Sequence, residues 1–196
     1  MSYKVLNLYA CLGGNRLKWT DCEVTAVELD PELARLYQER FPNDKVIIAD
    51  AHQYLLDHYK EFDFIWSSPP CPSHSRTNYF LNPQGVVRYP DMELWQQIIF
   101  LKHFYKGLYC IENVISYYDP IYNPQLLGRH YLWANFKIPY IKLPKDSIGK
   151  MCGKNQTAGK KTKEERNAVD SDLGIHILNT ARNIQTKSKT KQIELI

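Results

Sequence analysis

One cysteine of this sequence is flanked by prolines in a way that suits a reactive thiol. Cys71 stands in a Pro-Pro-Cys-Pro run that follows the apolar segment 62–66. Proline restricts the backbone around it, so the thiol is held beyond the segment instead of packing among aliphatic side chains. A buried inert thiol is the usual state of an intracellular cysteine, and Cys110 inside the apolar segment 108–112 fits that description. Cys71 is therefore predicted to be a nucleophile and Cys110 a core residue.

A carboxylate ends the apolar segment 108–112. This residue, Glu112, would lie beside Cys71 if the two apolar segments form neighbouring parallel strands, because the carboxyl ends of parallel strands share one edge of the sheet. A partly desolvated carboxyl group can donate as well as accept a proton. That property suits a group that exchanges a proton with a substrate.

Residues after the first three apolar segments outline a pocket for an adenosine-containing cofactor. Gly13 and Gly14 permit a tight turn and close approach of the backbone to a nucleoside. Glu28 could accept hydrogen bonds from both ribose hydroxyls, and Asp50 could accept one from an adenine amino group. Each position also has a plain structural interpretation. The glycines could form an ordinary turn and the carboxylates could cap helices, a role that suits Asp30 better than Glu28.

The first two thirds of the chain alternate short apolar segments with amphipathic stretches. This rhythm predicts an α/β fold with a mostly parallel sheet and helices on both faces. With 196 residues, 44% of them hydrophobic, the chain is expected to form one compact domain over residues 1–196. The proline-rich stretch 67–90 has no sustained periodicity and is predicted to be a functional loop. Predicted strands are 4–9, 24–29, 46–49, 62–66, 108–112 and 132–138, and predicted helices are 32–41, 91–105 and 172–182.

The charge distribution favours a nucleic-acid partner. Between Lys142 and Lys191 there are twelve lysine and arginine residues against five acidic ones, whereas the whole chain has a net charge of only +4. Such a stretch can neutralise phosphates, although a solvated tail without a partner explains the charge equally well. The lysine- and glycine-rich part at 142–163 is predicted to be an extended basic loop.

The cysteine and hydropathy patterns exclude other classes. Five cysteines occur without a Cys-x-x-Cys pair and six histidines are scattered, so neither a disulfide scaffold nor a metal site is expected. No segment approaches the roughly 18 apolar residues of a membrane span, and the N-terminus lacks a signal-peptide pattern. We therefore expect an intracellular, cytoplasmic protein.

The order of these residues resembles that of the cytosine-5 DNA methyltransferase family. The Pro-Pro-Cys run ending at Cys71 and the Glu-Asn-Val run starting at Glu112, each after an apolar strand, are the specific part of the resemblance. The segment Leu-Tyr-Ala-Cys-Leu-Gly-Gly ending at Gly14, the segment Arg-His-Tyr-Leu-Trp starting at Arg129 and Asn-Ala-Val starting at Asn167 extend it over nearly the whole chain. The resemblance implies a Rossmann-like class I methyltransferase fold, S-adenosylmethionine as cofactor and DNA as substrate.

The resemblance also implies roles for individual residues. Cys71 would add to C6 of a cytosine flipped out of the duplex, Glu112 would hold N3, and loss of the C5 proton would release the thiol after methyl transfer. The loop 73–89 would close over the base. The assigned residues are Cys71, Glu112 and Arg129 as catalytic, Tyr9, Gly13, Gly14, Glu28, Asp50, Pro69 and Asn167 as cofactor-binding, and Ser75, Arg76 and Asn113 as substrate-binding.

The sequence departs from the family pattern at several positions. Cys11 replaces the first glycine of the cofactor turn, and Asn7 replaces the acidic residue before it. Leu127 stands where the first of two arginines is usual in the base-contacting motif, and Arg166 stands where glycine is usual.

Little room remains between residues 113 and 167 for a target-recognition domain. Sequence specificity is therefore expected to be relaxed, or to come from the basic loop or a partner subunit, including a second copy of the chain. Three alternatives stay open: the same chemistry on RNA, the same chemistry on a free cytidine nucleotide, and a non-catalytic nucleic-acid-binding subunit. A prokaryotic or phage-like setting is expected, with restriction-modification, protection or regulation as the role.

Overall fold

The computed structural model describes residues 2–143 and 168–193, with side chains described as far as residue 183. Its helices and strands follow in chain order. They are β1 (Tyr3–Leu8), β2 (Cys22–Glu28), α1 (Pro31–Arg40), β3 (Lys45–Ile48), α2 (Ala51–His58), β4 (Phe64–Ser67), α3 (Asn78–Leu81), α4 (Glu93–Phe104), β5 (Leu108–Val114), β6 (Gln125–Leu127), β7 (His130–Ala134) and α5 (Ser171–Ile193). Single 3-10 turns, Tyr59–Glu61 and Asn82–Gln84, follow α2 and α3.

The strands of the described residues form one seven-stranded sheet in the order β3-β2-β1-β4-β5-β7-β6. The five strands from β3 to β5 are parallel, and β7 is antiparallel to both β5 and β6. The strand order reverses between β1 and β4, and open α/β sheets bind ligands in the crevice at such a reversal. The predicted mostly parallel sheet is confirmed, and the residues after β1 and β4 flank its crevice.

Helices cover both faces of the sheet, as the α/β prediction requires. One face packs against α2 and α4, whereas the other packs against α5, whose Leu173, Ile177 and Leu178 are fully buried. Cys110 lies in the α5-facing core, which confirms it as a core residue. Burial raises the pKa of its thiol well above the ordinary value, so this cysteine stays protonated and inert.

Most element boundaries lie within two residues of the predicted ones. The predicted strand 132–138 instead begins at His130 and ends at Ala134, because pairing with β5 decides its extent. Helix α5 extends to Ile193, beyond the predicted end at 182, because its last turns are polar and show no apolar periodicity. The three-residue strand β6 was not predicted, since alternation cannot be read from so short a segment.

Candidate active site

The Cys71 loop follows strand β4, and Glu112 lies near the end of the adjacent strand β5. Strand β4 pairs in parallel with β5 so that Ser67, its last residue, lies opposite Ile111. Glu112 is therefore the next residue of β5, and Cys71 lies shortly beyond the end of β4. The Asn113 side-chain amide donates a hydrogen bond of 3.0 Å to the carbonyl oxygen of Pro69, which joins the two segments directly. The two residues predicted to act on the base thus belong to one edge of the sheet.

Hydrogen bonds to its backbone fix the conformation of the Cys71 loop. The Cys71 carbonyl accepts the backbone N–H groups of His74 and Ser75, both at 3.0 Å, and Cys71 itself is half-buried. The Asn78 side chain donates to the carbonyl of Pro72 at 2.9 Å. Because proline has no N–H to donate, these carbonyls are the groups through which the loop can be held. The loop is ordered around Cys71 by contacts that leave the thiol outside the aliphatic core.

A buried histidine anchors the same loop. His74 is 1% exposed, its Nδ1 is hydrogen-bonded to the Tyr118 hydroxyl, and its carbonyl accepts the N–H of Tyr117. Desolvation lowers the pKa of His74 from its ordinary value of 6.5, and this effect outweighs the opposing attraction of Asp91. The imidazole is therefore neutral in the folded protein at neutral pH.

Acid is expected to destabilise the protein through His74. The unfolded chain binds a proton at this histidine near pH 6.5, whereas the folded chain binds it only at lower pH. The contribution of His74 to stability is thus complete above pH 6.5 and decreases as the pH falls towards the folded pKa. Urea unfolding between about pH 7.5 and about pH 5 should show a steeper loss of unfolding free energy for the wild type than for His74→Asn. Equal slopes for the two proteins would contradict this assignment.

Glu112 is buried and bound to a histidine that sequence reasoning missed. Its side chain is 8% exposed, and Oε1 lies 2.6 Å from His130 Nδ1 on β7. The sequence offered one signal that His130 could be functional, namely its position directly after Arg129. Its contact with Glu112, however, depends on the antiparallel pairing of β7 with β5. A buried carboxylate paired in this way has one oxygen fixed by the histidine.

Arg129 lies in the tight turn between β6 and β7, exposed to solvent. It lines a cleft of about 300 Å³. Leu127, at the place of the missing arginine, is buried in the α5-facing core and so cannot contact a base. The other residues that line this cleft are Gly128, His130, Tyr140, Ile141, Lys142, Leu143 and Asp170.

At the opposite side of the crevice, Glu28 holds the turn that follows β1. Its Oε2 accepts the backbone N–H of Cys11 at 2.8 Å, and its Oε1 accepts that of Asp30 at 3.1 Å. Asp30 caps α1, as expected, by accepting the N–H groups of Glu32 and Leu33. A carboxylate has further lone pairs available after two such bonds, so Glu28 can still accept ribose hydroxyls.

Asp50 also has the structural role that was left open. Its Oδ1 accepts the backbone N–H of Gln53 at 2.8 Å and so caps α2. The carboxylate nevertheless follows the end of β3, next to Glu28 at the end of β2, because these two strands are paired. Carboxylates at adjacent strand ends beside a glycine turn are a set of hydrogen-bond acceptors that fits an adenosine moiety.

The glycine turn is closely packed. An added Cβ at Gly13, where φ is +67°, would lie 2.3 Å from the Phe41 ring. One at Gly14 would lie 2.7 Å from the carbonyl oxygen of Val169. The Ala-Val part of the Asn-Ala-Val segment therefore lies directly on this turn, whereas Asn167 and residues 144–163 of the predicted basic loop lie outside the described residues.

Cys11 has a backbone conformation that favours glycine, with φ at +46°. A non-glycine residue in this region costs about 1 kcal/mol or more. We expect Cys11→Gly to raise the free energy of unfolding by about 0.5 kcal/mol, since relief of strain exceeds the added entropy of the unfolded chain. Ala10→Gly is the matched control, because Ala10 has no such conformation and glycine there should destabilise. Thermal unfolding of both variants is the measurement, and equal destabilisation would contradict the prediction.

Gln97 is a second residue that sequence reasoning missed. It is fully buried on α4, accepts a hydrogen bond from Ser67 Oγ at 2.8 Å and donates one to the Tyr9 hydroxyl at 2.5 Å. It thereby joins the ends of β1 and β4 across the crevice. Burial raises the pKa of Tyr9, whose hydroxyl keeps its proton and can donate it to a ligand. The only sign of Gln97 in the sequence was that a polar residue stands within the apolar stripe of α4.

The loop after Cys71 is partly ordered by its own contacts. Ser75 Oγ accepts from the backbone N–H and hydroxyl of Thr77, and Ser75 forms an isolated antiparallel bridge with Ser116. Arg76 is exposed. Helix α3 lies within the predicted loop 67–90, and α3 together with the stretch that follows it exposes several large apolar side chains. They are Tyr79, Phe80, Val86, Val87, Tyr89 and Met92.

Comparison with known proteins decides the family. The profile of C-5 cytosine-specific DNA methylases matches residues 3–114, which include the glycine turn, the Cys71 loop and Glu112. The chain belongs to this family. The family makes S-adenosylmethionine the methyl donor, in agreement with the sequence prediction.

Individual relatives match parts of the chain. A tRNA (cytosine(38)-C(5))-methyltransferase of Spodoptera frugiperda is 28% identical over 89 residues, which are 42% of this chain and 27% of that protein. A crystal structure of a Spodoptera frugiperda DNMT2 variant is 26% identical, with a TM-score of 0.43, over 58% of this chain and 36% of that one. The Entamoeba histolytica methyltransferase EhMeth is 12% identical, with a TM-score of 0.44, over 78% of this chain and 62% of that one. The matches thus span less than two thirds of the length of these relatives.

The described residues contain neither a cluster of metal-ligating side chains nor a membrane-spanning helix. No group of three or more His, Cys, Asp or Glu side chains within residues 2–143 and 168–183 could hold a metal ion. Within the part of the chain that the structure describes, no helix is both long and apolar enough to cross a membrane.

Proposed function

We propose that this chain methylates C5 of cytosine in nucleic acid, with DNA as the first candidate substrate. The observation that carries this proposal is the direct connection between the Cys71 loop and the strand of Glu112, through the hydrogen bond from Asn113 to Pro69. A thiol and a carboxyl at adjacent strand ends are the two groups that addition to a pyrimidine requires. Family membership supports the same reaction.

In the proposed reaction, the Cys71 thiolate forms a bond to C6 of the cytosine. Electron density moves towards N3, where the Glu112 carboxyl group supplies a proton, and C5 becomes nucleophilic. S-adenosylmethionine, when bound, supplies the electrophilic methyl group. The C5 proton then passes to solvent, the bond between sulfur and C6 breaks, and the N3 proton returns to Glu112.

The remaining predicted residues support this reaction in different ways. Glu28 and Asp50, with Tyr9, are the polar groups available to the adenosine part of the cofactor. Asn113 acts by holding the Cys71 loop, since its amide is bound to Pro69. Arg129, in the β6–β7 turn, is available to contact the target base or a phosphate of the nucleic acid. The site is proposed to be completed by Gly13, Gly14, Pro69 and Asn167 for the cofactor and by Ser75 and Arg76 for the nucleic-acid backbone.

Two substrate classes deserve direct comparison. The family profile describes DNA methylases, whereas a curated relative acts on a tRNA, so RNA is the second candidate. The basic residues at 142–163 are proposed to contact phosphates in either case. Recognition would then depend strongly on salt. A second copy or another subunit is a further proposed source of specificity.

The test is methyl transfer from labelled S-adenosylmethionine to duplex DNA, tRNA and free cytidine nucleotides in parallel. We expect incorporation into nucleic acid and a covalent adduct with the same polymer containing 5-fluorocytosine. Incorporation into tRNA alone would replace DNA with RNA as the substrate. Cofactor and nucleic acid binding with neither incorporation nor adduct on any substrate would overturn the catalytic proposal in favour of a non-catalytic subunit.

A further inference from the structure

A histidine is buried against the carboxylate proposed to hold the base. The side chains of His130 and Glu112 are each 8% exposed, and Nδ1 lies 2.6 Å from Oε1. Among the described residues, His130 is the only hydrogen-bonding partner of the Glu112 side chain. A buried carboxylate is strongly constrained by such a partner, because an alternative orientation would leave it desolvated and unpaired.

The strand register explains why the two side chains meet. In the antiparallel β5 and β7 pair, Glu112 lies opposite Leu132 and Val114 lies opposite His130. His130 is thus the diagonal neighbour of Glu112 on the same sheet face, within reach of a side chain of this length. His130 also lines the cleft of about 300 Å³ beside Arg129. The imidazole therefore both contacts the carboxylate and lines this cleft.

We infer that His130 is a positioning residue for Glu112, which fixes Oε1 through Nδ1–H so that Oε2 presents a proton to N3 of the target cytosine. This inference rests on the proposed function. It assigns the tautomer of His130, since only an Nδ1–H can donate to the carboxylate. The role is specific to position 130 and does not depend on contact between His130 and the substrate.

The proton balance of the pair follows from this geometry. Before the reaction the pair holds one transferable proton in addition to that on Nδ1. As the thiolate bonds to C6, that proton moves from the carboxyl group to N3, and the carboxylate left behind keeps its hydrogen bond from His130. When the thiolate leaves, the proton returns to the carboxylate. No other reactant is required for this exchange.

Replacement of His130 by a side chain without a donor removes the hydrogen bond that orients the Glu112 carboxyl group, so kcat should fall. Charged or titratable groups on the neighbouring elements and along the cleft are Cys110 on β5, Cys71 after β4, Arg129 in the β6–β7 turn, Tyr140 and Lys142 after β7, and Asp170 before α5.

The test compares His130→Asn with His130→Phe in the full chain. Asparagine can place an N–H near the position of Nδ1, whereas phenylalanine fills the space without a donor. We expect His130→Phe to lower kcat by roughly 10- to 100-fold with little change in KM for the nucleic acid, since orienting partners typically contribute this much. We expect His130→Asn to recover much of that loss, because its amide N–H can take the place of the Nδ1–H donor. His103→Asn, an exposed histidine substitution on α4, is the matched control and should leave kcat and KM unchanged.

Nitrogen NMR of labelled histidine in the protein without substrate gives a second readout. His130 should show a protonated, hydrogen-bonded Nδ1 that changes in Glu112→Gln, which supports the pair even if a variant folds poorly. A wild-type His130 protonated only at Nε2 would overturn the inference. So would equal kcat losses for His130→Asn and His130→Phe, which would indicate a structural role alone. If the wild type neither transfers methyl groups nor forms an adduct, the proposed function fails, whereas the NMR result still decides whether the pair exists as described.

Discussion

Cys71→Ser should reduce methyl transfer to cytosine by at least about 10⁴-fold, because loss of a covalent nucleophile removes the reaction path itself. A serine hydroxyl is close in size to the thiol but is far less ionised near neutral pH, so it cannot add to C6 at a useful rate. The loop should keep its conformation, since its hydrogen bonds are made by the backbone carbonyls of residues 71 and 72. Initial rates with labelled S-adenosylmethionine and the preferred polymer are the measurement.

Cys22→Ser is the matched control for this variant. Cys22 begins β2, at the end of the sheet opposite the crevice, and lies at the edge of the α5-facing core. Its replacement should leave the rate and the 5-fluorocytosine adduct intact. Cys71→Ser should bind the cofactor with unchanged affinity but form no adduct. Substantial methyl transfer by Cys71→Ser would show that another group attacks the base.

Glu112→Gln should lower kcat by about 10²- to 10⁴-fold, the usual contribution of a positioned proton donor. The amide has the shape of the carboxyl group and can donate a hydrogen bond to N3, but it cannot transfer a proton there. Addition of Cys71 to C6 then builds up negative charge on the ring without neutralisation. Single-turnover methyl transfer should therefore be slow, whereas the cofactor should bind normally because Glu112 is not among the residues proposed to hold it.

Glu23→Gln controls for the loss of one carboxylate, because Glu23 is exposed near the start of β2 and remote from the crevice. It should keep the wild-type rate. Thermal unfolding of Glu112→Gln distinguishes a chemical effect from a structural one, since this variant alters the contact with His130. A folded Glu112→Gln protein with wild-type single-turnover rates would remove Glu112 from the mechanism.

The assignment of polar residues shows what local patterns can indicate. The caps at Asp30 and Asp50 were visible because each residue stands directly before a helix start. Gln97 was not visible as a functional residue, because one polar side chain in an apolar stripe has no distinguishing pattern until its partners on two other strands are known. His130 was missed for the same reason, since its partner comes from a different strand.

The sequence by itself determined the strand–helix alternation, the core cysteine and the residues that follow each strand, because apolar periodicity and proline placement are local properties. Only the tertiary structure decided that β4 and β5 are adjacent, that Asn113 joins their ends and that His130 faces Glu112. These contacts depend on strand order and register, which are set by packing of residues far apart in the chain. A shift of one residue in the β5 and β7 register would turn His130 to the other face of the sheet.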